Sequence, residues 1–368
     1  MMKVQEFLKQ HKDVNKLNED FGIIVKDYPE EGLYVLNYDQ IRSPKSDPIV
    51  MECRGLILDH DFNVVSRAFD RFFNLGEAPE TQSHLDWSKA VVHDKVDGSL
   101  IKLYNYKGEW HVSTRGTAFA ESDCMGFGIT FKELILKAMN MSYSELQYAG
   151  AYLDEDITYI LELTARENRV VTVYEGTKLH FLASRNRVTG DFAQVCDSVK
   201  LAMGWEEVPT YSFGSTEDCV KTAEALPNLA EGYVVYQDGK PVCKVKSPAY
   251  VAVHHLRGNG TPNINRVMEL VCIGEHDEYL TYFPEDEKYF IPVVEAKVEL
   301  LEVVDWAWEH VKGIEDQKEF ALSVKDLAFS WLLFTARKSG KMPSEVFNDS
   351  ELNKRVRTLE GYMQKMGG

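Results

Sequence analysis

The stretch His93-Asp94-Lys95-Val96-Asp97-Gly98-Ser99-Leu100 carries the strongest local pattern in this chain. Apolar Val91-Val92 precedes it and Leu100-Ile101 follows it, which predicts a strand, a short crossing and a second strand. A lysine at a sheet edge, followed by a carboxylate and a glycine, is suited to act as a covalent nucleophile. Gly98 has no Cβ, so we expect a phosphate or sugar to approach the backbone there. In isolation the pattern also fits an ordinary strand-end lysine before a turn.

The composition is that of an ordinary globular protein with room for two domains. The chain has 368 residues, of which 44% are hydrophobic and 27% are charged, and this length allows two separate cores. Its formal net charge of −17 argues against a surface coated with basic residues for non-specific DNA binding. A local basic cleft is still compatible with this charge, because counterion release depends on the phosphates contacted.

Cysteine usage and hydropathy predict a reducing, cytoplasmic environment. The six cysteines form no Cys-x-x-Cys pair and have no regular spacing, which fits free thiols better than a disulfide framework or a zinc site. No apolar run approaches the ~20 residues of a membrane span. Residues 1–8 resemble a short amphipathic helix and not a signal peptide. We therefore expect a soluble, cytoplasmic monomer without a membrane partner.

Strand and turn signals dominate the first 248 residues. Short β-type stretches are bounded by Gly, Pro, Asn and Asp, and several are joined as hairpins. A helix is predicted over 129–141, and Ser215 is predicted to cap another that ends near Leu226. The predicted strands are 23–28, 33–39, 51–58, 64–67, 72–75, two within the hairpin 99–115, 157–164, 170–174, 179–184, 232–236 and 242–246.

The pattern becomes helical in the remaining residues. From Pro292 to Val311 acidic residues recur on one face, while Val, Leu and Trp fill the other. A second helix is predicted from 317 to 338, and Ser344 is predicted to cap a third. The tryptophans expected in the core of these helices are Trp306, Trp308 and Trp331. The predicted fold class is therefore α+β over 1–248, followed by an all-helical domain over 249–368.

Several charged side chains suit phosphate and nucleotide chemistry. Lys244-Val245-Lys246 puts two ammonium groups on one face of a strand, because side chains repeat every second residue. Glu231-Gly232 begins the paired strand, so its carboxylate can converge with both lysines. Glu162 lies in an apolar strand, where an unpaired carboxylate is costly, so we expect it to have a specific partner. The plain alternatives are solvent-facing lysines on an edge strand and a carboxylate at an exposed position.

Arginines extend this set. Arg54 follows Glu52-Cys53, Arg71 precedes an aromatic pair, and Arg166 and Arg169 lie beyond the strand that carries the buried carboxylate. Guanidinium groups near a phosphate-binding lysine would orient a triphosphate through bidentate contacts.

Taken in order, these signals resemble the covalent nucleotidyltransferases, which include ATP-dependent polynucleotide ligases and RNA capping enzymes. More narrowly, the chain resembles the phage RNA ligases of the type-1, tRNA-repair kind. The resemblance covers nearly all of 30–255, whereas in the helical tail only 274–277 offers a local match. The motifs that carry it are Lys95-Val96-Asp97-Gly98, Glu162, Ser184-Arg185, Glu231-Gly232, Lys244-Val245-Lys246, Glu52-Cys53-Arg54-Gly55, Ser66-Arg67 through Phe72-Phe73-Asn74-Leu75, Asn168-Arg169-Val170-Val171, and Lys246-Ser247 with Tyr250.

The resemblance implies an adenylyltransferase domain of ATP-grasp-like antiparallel sheets with helices over 1–248, and a helical RNA-specificity domain over 249–368. The implied reaction is ATP-dependent ligation of 5′-phosphate and 3′-hydroxyl RNA ends, in tRNA repair. Lys95 would take AMP from ATP and pass it to the 5′-phosphate, and the 3′-hydroxyl would then displace AMP. If the enzyme is phage-encoded, its compartment would be the host cytoplasm.

The resemblance also implies roles for individual residues. The lysine pair would neutralise the α-phosphate, the arginines would hold the β- and γ-phosphates, and Glu162 would accept from the ribose hydroxyls. The residues implied in binding ATP are Tyr38, Arg54, Arg71, Asp97, Gly98, Glu162, Glu231, Lys244 and Lys246. Those implied in binding RNA are Arg115 and Tyr250. Mg²⁺ is the implied ion, since it prefers hard oxygen ligands, and its implied protein ligands are Glu231 and Asp277.

Two positions depart from the family pattern. Arg71 and Arg115 stand where the resemblance leads us to expect lysine, which keeps the charge but changes the donor geometry. We expect an effect on nucleotide affinity and not on the chemistry.

Three alternatives stay open. A DNA ligase or a capping guanylyltransferase of the same superfamily usually carries a β-barrel after the last lysine motif, where this chain has helices. A non-catalytic RNA-binding protein would be expected to have lost Lys95, Lys244 or Lys246, and all three are present. A Schiff-base enzyme would explain Lys95 but would leave the lysine pair and the arginines without a use.

Overall fold

The computed structural model describes residues 1–124, 128–168, 170, 172, 174–227, 230–248, 250–251, 264–282 and 286–366. The chain divides into two compact units, Met1–His254 and His255–Gly368, and the predicted boundary after residue 248 lies near this division. No described helix is both long enough and apolar enough to cross a bilayer.

The described residues of the first unit form three sheets. In chain order, the strands are β1 (Ile23–Tyr28), β2 (Leu33–Tyr38), β3 (Arg54–Asp59), β4 (Val64–Ser66), β5 (Phe73–Asn74), β6 (Ala90–Asp94), β7 (Ser99–Tyr106), β8 (Glu109–Ser113), β9 (Ile157–Thr164), β10 (Lys178–Asn186), β11 (Phe192–Ala193), β12 (Trp205–Glu207), β13 (Thr210–Tyr211), β14 (Gly232–Gln237) and β15 (Lys240–Lys246). The helices of this unit are α1 (Lys3–His11), α2 (Lys16–Phe21), α3 (Pro48–Glu52), α4 (Pro79–Gln82), α5 (Phe131–Met139), α6 (Tyr143–Gly150), α7 (Asp197–Ala202) and α8 (Thr216–Glu224).

The first sheet has the order β1-β2-β3-β4, the second β11-β10-β9-β7-β8 with β12 beside β10, and the third β13-β6-β14-β15-β5. Neighbouring strands are antiparallel, as the resemblance implied, except for the short pairs β10–β12 and β15–β5, which are parallel. The hairpins β3–β4, β7–β8 and β14–β15 confirm the turns predicted from sequence.

Strand β9 contributes side chains to both faces of the second sheet. Its odd-numbered residues, such as Leu161, pack beneath α5 and α6 in one apolar core. Its even-numbered residues face the other way, where Ile160 packs with Val234 and Tyr236 of the third sheet. Because side chains alternate along a strand, Glu162 lies on this second face, between the second and third sheets.

Local capping explains where three helices of the first unit begin. Thr130 and Glu133 form a capping box at the start of α5, and Ser142 and Glu145 form another at α6. The Ser215 hydroxyl accepts from the backbone of Asp218 at the start of α8, which confirms the predicted cap.

The strand predicted over 170–174 is wrong at its described positions, 170, 172 and 174, none of which lies in a strand. The backbone N–H of Thr172 instead donates to Asp97 Oδ2 at 2.7 Å. The hydroxyl of Tyr174 accepts from the Asp97 N–H at 3.0 Å. The backbone N–H of Thr172 is therefore bonded to a side chain, where a strand would have paired it with a neighbouring backbone. Arg169 and Val171 lie outside the described residues.

The second unit is helical, as predicted. Its described helices are α9 (Ile264–Ile273), α10 (His276–Tyr282), α11 (Glu287–Val311), α12 (Gln317–Val324), α13 (Ser330–Ser339), α14 (Pro343–Asp349) and α15 (Leu352–Met366). They enclose a common apolar core that includes Phe290, Leu300, Phe320, Leu332 and Phe347.

Three details of this unit contradict the sequence predictions. The helix expected from 317 to 338 is two helices, because Val324 and Phe329 both reach the core and a continuous helix would turn them about 140° apart. The cap of α14 is Met342 and not Ser344, since Pro343 takes the first helical position. Trp306 is 64% exposed because it lies on the acidic face of α11, where it stacks on His310.

Candidate active site

Lys95 lies directly after β6, at the edge of the third sheet. Its backbone N–H donates to the carbonyl of Gly232 at 2.8 Å, which ties it to the start of β14. Its Nζ lies 2.7 Å from Glu231 Oε2, and its side chain is 21% exposed. The amine is therefore held by a carboxylate and can still be reached from solvent.

Glu231 joins Lys95 to the second lysine of the predicted pair. It is 5% exposed, and its Oε1 lies 3.0 Å from Lys246 Nζ. The two ammonium groups compensate a carboxylate that would be costly to bury alone. Gly232 permits this convergence, because a Cβ there would lie 2.1 Å from the Val245 carbonyl and its φ is +134°.

Asp97 is a buried centre that holds Tyr250. The hydroxyl of Tyr250 donates to Asp97 Oδ1 at 2.8 Å. Lys246 Nζ lies 5.3 Å from the centre of the Tyr250 ring, so this tyrosine contacts both the carboxylate and one lysine of the pair. The structure thus brings together two predicted residues that are far apart in sequence.

Gly98 lies where two strands approach closely. A Cβ there would lie 2.3 Å from the Leu163 carbonyl oxygen and 3.1 Å from Glu162 Cγ. The missing side chain therefore lets the start of β7 approach β9. The expected approach of a phosphate or sugar to the Gly98 backbone stays a prediction.

Glu162 lies opposite Leu100 of β7 and His180 of β10. Burial raises its pKa to about 7, an effect that Lys95 opposes and Glu231 reinforces. The carboxyl of Glu162 is therefore poised between its charged and neutral forms near neutral pH.

Cations surround Tyr38, and we call this group the cationic cluster: Tyr38, Arg54, Arg71, Arg115 and Lys244. Arg71 Nη1 donates to the Tyr38 hydroxyl at 3.1 Å. Burial raises the pKa of Tyr38, but the charges of Arg115, Arg54, Arg71 and Lys244 outweigh it and lower the pKa to about 7. The cluster therefore attracts negative charge strongly enough to ionise a phenol near neutral pH.

Two donors of the cationic cluster fit an anionic ligand. Within the described part of the chain, Arg54 Nη1 and Arg71 Nε are buried and have no hydrogen-bond acceptor. Buried guanidinium N–H groups are nearly always paired, so such donors suit the oxygens of a phosphate chain. Phe72 packs against two members of the cluster, with Lys244 Nζ at 5.1 Å and Arg54 Cζ at 5.7 Å from its ring centre.

Sequence reasoning missed three charged residues near this site. Glu77 accepts from Arg71 Nη2 at 2.9 Å. Burial, and then the charge of Arg71, lower the pKa of Lys45 to about 8. Lys102 is wholly buried on β7 and donates from Nζ to the Gly55 carbonyl. None of them lies in a motif, and only Lys102 gave a signal, since it stands in an apolar strand.

The implied Mg²⁺ suits a site completed by substrate. No group of three or more His, Cys, Asp or Glu side chains that could hold a metal ion is found in the described residues. Glu231 offers one carboxylate, and both of its oxygens contact lysines. Mg²⁺ commonly binds through one or two carboxylates, phosphates and water, which is compatible with this donor set. Asp277 lies in the second unit, 3.5 Å from His276 Nε2, and its metal role stays a prediction.

Comparison with known proteins identifies the family. The family model described as RNA ligase matches residues 52–250, which is more than half of the chain. A protein of Autographa californica nuclear polyhedrosis virus, whose name proposes polynucleotide kinase and RNA ligase activities, is 41% identical over 298 residues, covering 77% of this chain and 42% of the relative. A Thermovibrio ammonificans protein named for RNA ligase activity is 28% identical, covering 56% of this chain and 54% of the relative.

The chain thus spans about half or less of the length of these two relatives. Among solved structures, an archaeal ATP-dependent RNA ligase matches with a TM-score of 0.47 at 14% identity, covering 79% of this chain and 78% of the other. A Naegleria gruberi RNA ligase solved with ATP and Mn matches with a TM-score of 0.39 at 16% identity, covering 50% and 56%.

Proposed function

Because the chain belongs to the RNA ligase family, we propose that it joins 5′-phosphate and 3′-hydroxyl RNA ends in three nucleotidyl transfers that consume ATP. The observation that carries this proposal is the contact of Lys95 Nζ with Glu231 Oε2 at 2.7 Å, beside Lys246 and the residues of the cationic cluster. A nucleophilic amine, a carboxylate and paired cations are the groups that transfer of AMP requires.

In the first transfer, Lys95 Nζ attacks the α-phosphorus of ATP. A P–N bond forms, the bond to the β-phosphate oxygen breaks, and pyrophosphate leaves. Glu231 Oε2 is the nearest acceptor for the proton that the ammonium must lose first. Lys246, held on the other oxygen of Glu231, stabilises the charge that builds on the α-phosphate.

The cationic cluster binds the leaving pyrophosphate. Arg54 Nη1 and Arg71 Nε, the two buried donors without an acceptor in the described residues, point to the β- and γ-phosphates as their partners. The pull of such cations on the leaving oxygens accounts for much of the catalysis of phosphoryl-type transfers. Lys45 adds a further cation to the same region.

Glu162 binds the ribose of ATP. Its position on the face of β9 that looks toward the third sheet places it near Lys95, whose charge acts on its pKa. A carboxyl with a pKa of about 7 can accept a hydrogen bond from a ribose hydroxyl when it is ionised, and can donate one when it is neutral.

In the second transfer, a 5′-phosphate oxygen of RNA attacks the phosphorus of the lysyl-AMP, and Lys95 leaves. In the third, the 3′-hydroxyl attacks the activated 5′-phosphate, a phosphodiester forms and AMP leaves. Asp97 and Tyr250, joined at 2.8 Å, position the groups that these later steps use, and Arg115 contacts the RNA backbone. Mg²⁺, held by Glu231 through water, would screen phosphate charge.

The substrate and the setting are also part of the proposal. The helical unit would supply a preference for tRNA-like ends, an assignment that rests on analogy with the family. The enzyme would act as a monomer in the cytoplasm. A DNA ligase or a capping guanylyltransferase is disfavoured because the described residues after the last lysine motif are helical and not a β-barrel.

The test is incubation with α-labelled ATP and Mg²⁺, followed by denaturing separation. Wild-type protein and Lys89→Ala should retain the label, and Lys95→Ala should lose it. Lys89 is a matched control because it lies just before the same strand and pairs with Asp86 at the surface. Freshly purified protein that takes no label is first washed with pyrophosphate to remove bound AMP. Continued failure would contradict the ligase proposal and favour a binding protein.

A label on Lys95 leaves the acceptor to be determined. The labelled protein is then given 5′-phosphorylated RNA or DNA ends of the same sequence. Sealing of RNA at a rate well above DNA supports an RNA ligase, and equal rates would contradict that assignment.

A further inference from the structure

The connection between β4 and β5 supplies two residues of the phosphate region. Residues 67–72 have no helix or strand of their own. They carry Arg71, which donates to Tyr38, and Phe72, whose ring lies against Arg54 and Lys244. Without backbone pairing along its length, such a segment depends on individual contacts for its position.

A buried arginine on β10 holds this connection. The guanidinium of Arg185, whose side chain is 7% exposed, donates from Nη1 to the Ala68 carbonyl at 2.6 Å. It also donates from Nη1 to Asp70 Oδ1 at 3.1 Å and from Nη2 to Asp70 Oδ2 at 3.0 Å. Its Nε donates to the Gly190 carbonyl at 2.9 Å, so every nitrogen of the group is used. This bidentate arrangement has a fixed orientation as well as a charge.

Asp70 receives a second arginine. Arg67 Nη2 lies 3.0 Å from Asp70 Oδ2, so two guanidinium groups contact one carboxylate. Burial raises the pKa of Asp70, but Arg185 and Arg67 outweigh it and lower the pKa below its ordinary value. The two arginines therefore favour the ionised form of Asp70, and its ion pair with Arg185 joins β10 to the chain directly before Arg71.

We propose that Asp70 and Arg185 are a positioning pair that sets Arg71 and Phe72 for the β- and γ-phosphates of ATP. The inference rests on the proposed function. Neither residue need touch the substrate, because one peptide bond separates Asp70 from Arg71, and Phe72 follows at once. Two further contacts act at this end: a backbone bond from Arg71 N to the Met51 carbonyl at 2.7 Å fixes the chain position, and the bonds of the Arg71 guanidinium to Tyr38 and Glu77 hold its tip once the backbone is in place.

This role predicts a loss confined to one step. Lysyl-AMP formation needs the β- and γ-phosphates, whereas sealing of an RNA end that already carries 5′-AMP does not. A displaced Arg71 and Phe72 should therefore weaken ATP use and spare the sealing step. A purely structural role would reduce both steps together.

The test compares Asp70→Asn and Arg185→Lys with wild type and with Arg187→Lys. Arg187 is a matched control, because it follows β10 and pairs with Asp156 at 2.6 Å, while its Nη1 donates to the Val64 carbonyl of β4 and not to residues 67–72. We expect kcat/KM for ATP in lysyl-AMP formation to fall about tenfold or more in both variants, mostly through KM. Sealing of pre-adenylylated RNA should stay near wild-type rates, and Arg187→Lys should leave both steps unchanged.

Equal losses in both steps, or no loss in either, would overturn the proposal. If Asp70→Asn does not fold, Asp70→Glu keeps the charge and moves the carboxylate, and the same ratio of the two steps applies. The dissociation constant for pyrophosphate, measured by calorimetry on the same proteins, separates this inference from the ligase proposal. It should rise about tenfold in the two variants even if wild type forms no lysyl-AMP, and an unchanged constant would contradict the positioning role.

Discussion

The hydroxyl of Tyr38 accepts a hydrogen bond from Arg71 Nη1 at 3.1 Å, and Arg71 Cζ lies 5.1 Å from the centre of the same ring. The arginine also contacts Glu77 on its other terminal nitrogen. One guanidinium therefore links a phenol to a carboxylate, and its charge acts on a tyrosine that is almost completely buried. The charge state of Tyr38 consequently reports on the occupancy of the cationic cluster.

We predict that one of the 18 tyrosines ionises near neutral pH. The Tyr38 pKa of about 7 means that the folded protein loses a phenolic proton that the unfolded chain keeps until about pH 10. The contribution of Tyr38 to the free energy of unfolding therefore rises with pH through this window. Tyrosinate absorbance should show one early titration in wild type and none in Tyr38→Phe.

Bound pyrophosphate should shift this titration to higher pH, because its negative charge offsets the cations that lower the Tyr38 pKa. The assignment to Tyr38 would be contradicted by an early titration that persists in Tyr38→Phe, or by one whose midpoint does not change when pyrophosphate binds.

We predict that Glu162→Gln removes a pH dependence of stability. The Glu162 pKa is raised to about 7, so at intermediate pH the folded protein keeps a proton that the unfolded chain has lost. Its contribution to the free energy of unfolding therefore falls as pH rises from about 4.5 to 7, by up to about 1.4 kcal/mol per pH unit. Urea unfolding across this pH window should show that the free energy of unfolding of Glu162→Gln increases relative to that of wild type as pH rises. Parallel curves would show that Glu162 has an ordinary pKa.

Gly98→Ala should destabilise the first unit strongly. The new Cβ would meet the Leu163 carbonyl at 2.3 Å, so β7 and β9 would have to separate. Overpacking of this kind costs about 1–3 kcal/mol or more. Gly116→Ala is the control, because a Cβ there has no atom within 4 Å, and it should change the free energy of unfolding by less than about 0.5 kcal/mol. Thermal unfolding of both variants measures the difference, and similar midpoints would refute this packing argument.

Lys102→Met should change stability in a pH-dependent way. Burial lowers the Lys102 pKa to about 7, so the folded protein releases a proton that the unfolded chain holds until about pH 10. In wild type this contribution to the free energy of unfolding is small below pH 7 and rises with pH above it. The methionine variant lacks the rise, so its stability relative to wild type should be greatest near about pH 6 and decline toward pH 9. A constant difference across that range would mean that Lys102 stays charged.

Elements that depend on residues close together in sequence were predicted correctly, and elements that depend on distant residues were not. Hairpins such as β7–β8 and β14–β15 were predictable because alternation and turn residues act over a few positions. The helix expected over 317–338 was wrong because its break depends on which side chains reach a core built by other helices. Trp306 was misplaced for the same reason, since residue type alone does not say which helix face is covered.

The site divides along a similar line. The sequence by itself determined the chemical groups: Lys95, the lysine pair, Glu162, Glu231 and the arginines are readable from residue type and order. Only the tertiary structure decided which of these groups touch. It joins Lys95 to Lys246 through one buried carboxylate and assigns Gly98 to strand packing.

The tertiary structure also revealed two pairings that the sequence pattern did not specify, Glu77 with Arg71 and Arg185 with Asp70. The physical reason is that strand alternation and turn chemistry are local, whereas burial and charge pairing depend on which side chains the fold brings together, as for Asp70 and Arg185, which are 115 positions apart. The pKa values of about 7 for Tyr38 and Glu162 arise from that burial and from charges elsewhere in the chain, so they belong to the folded chain alone.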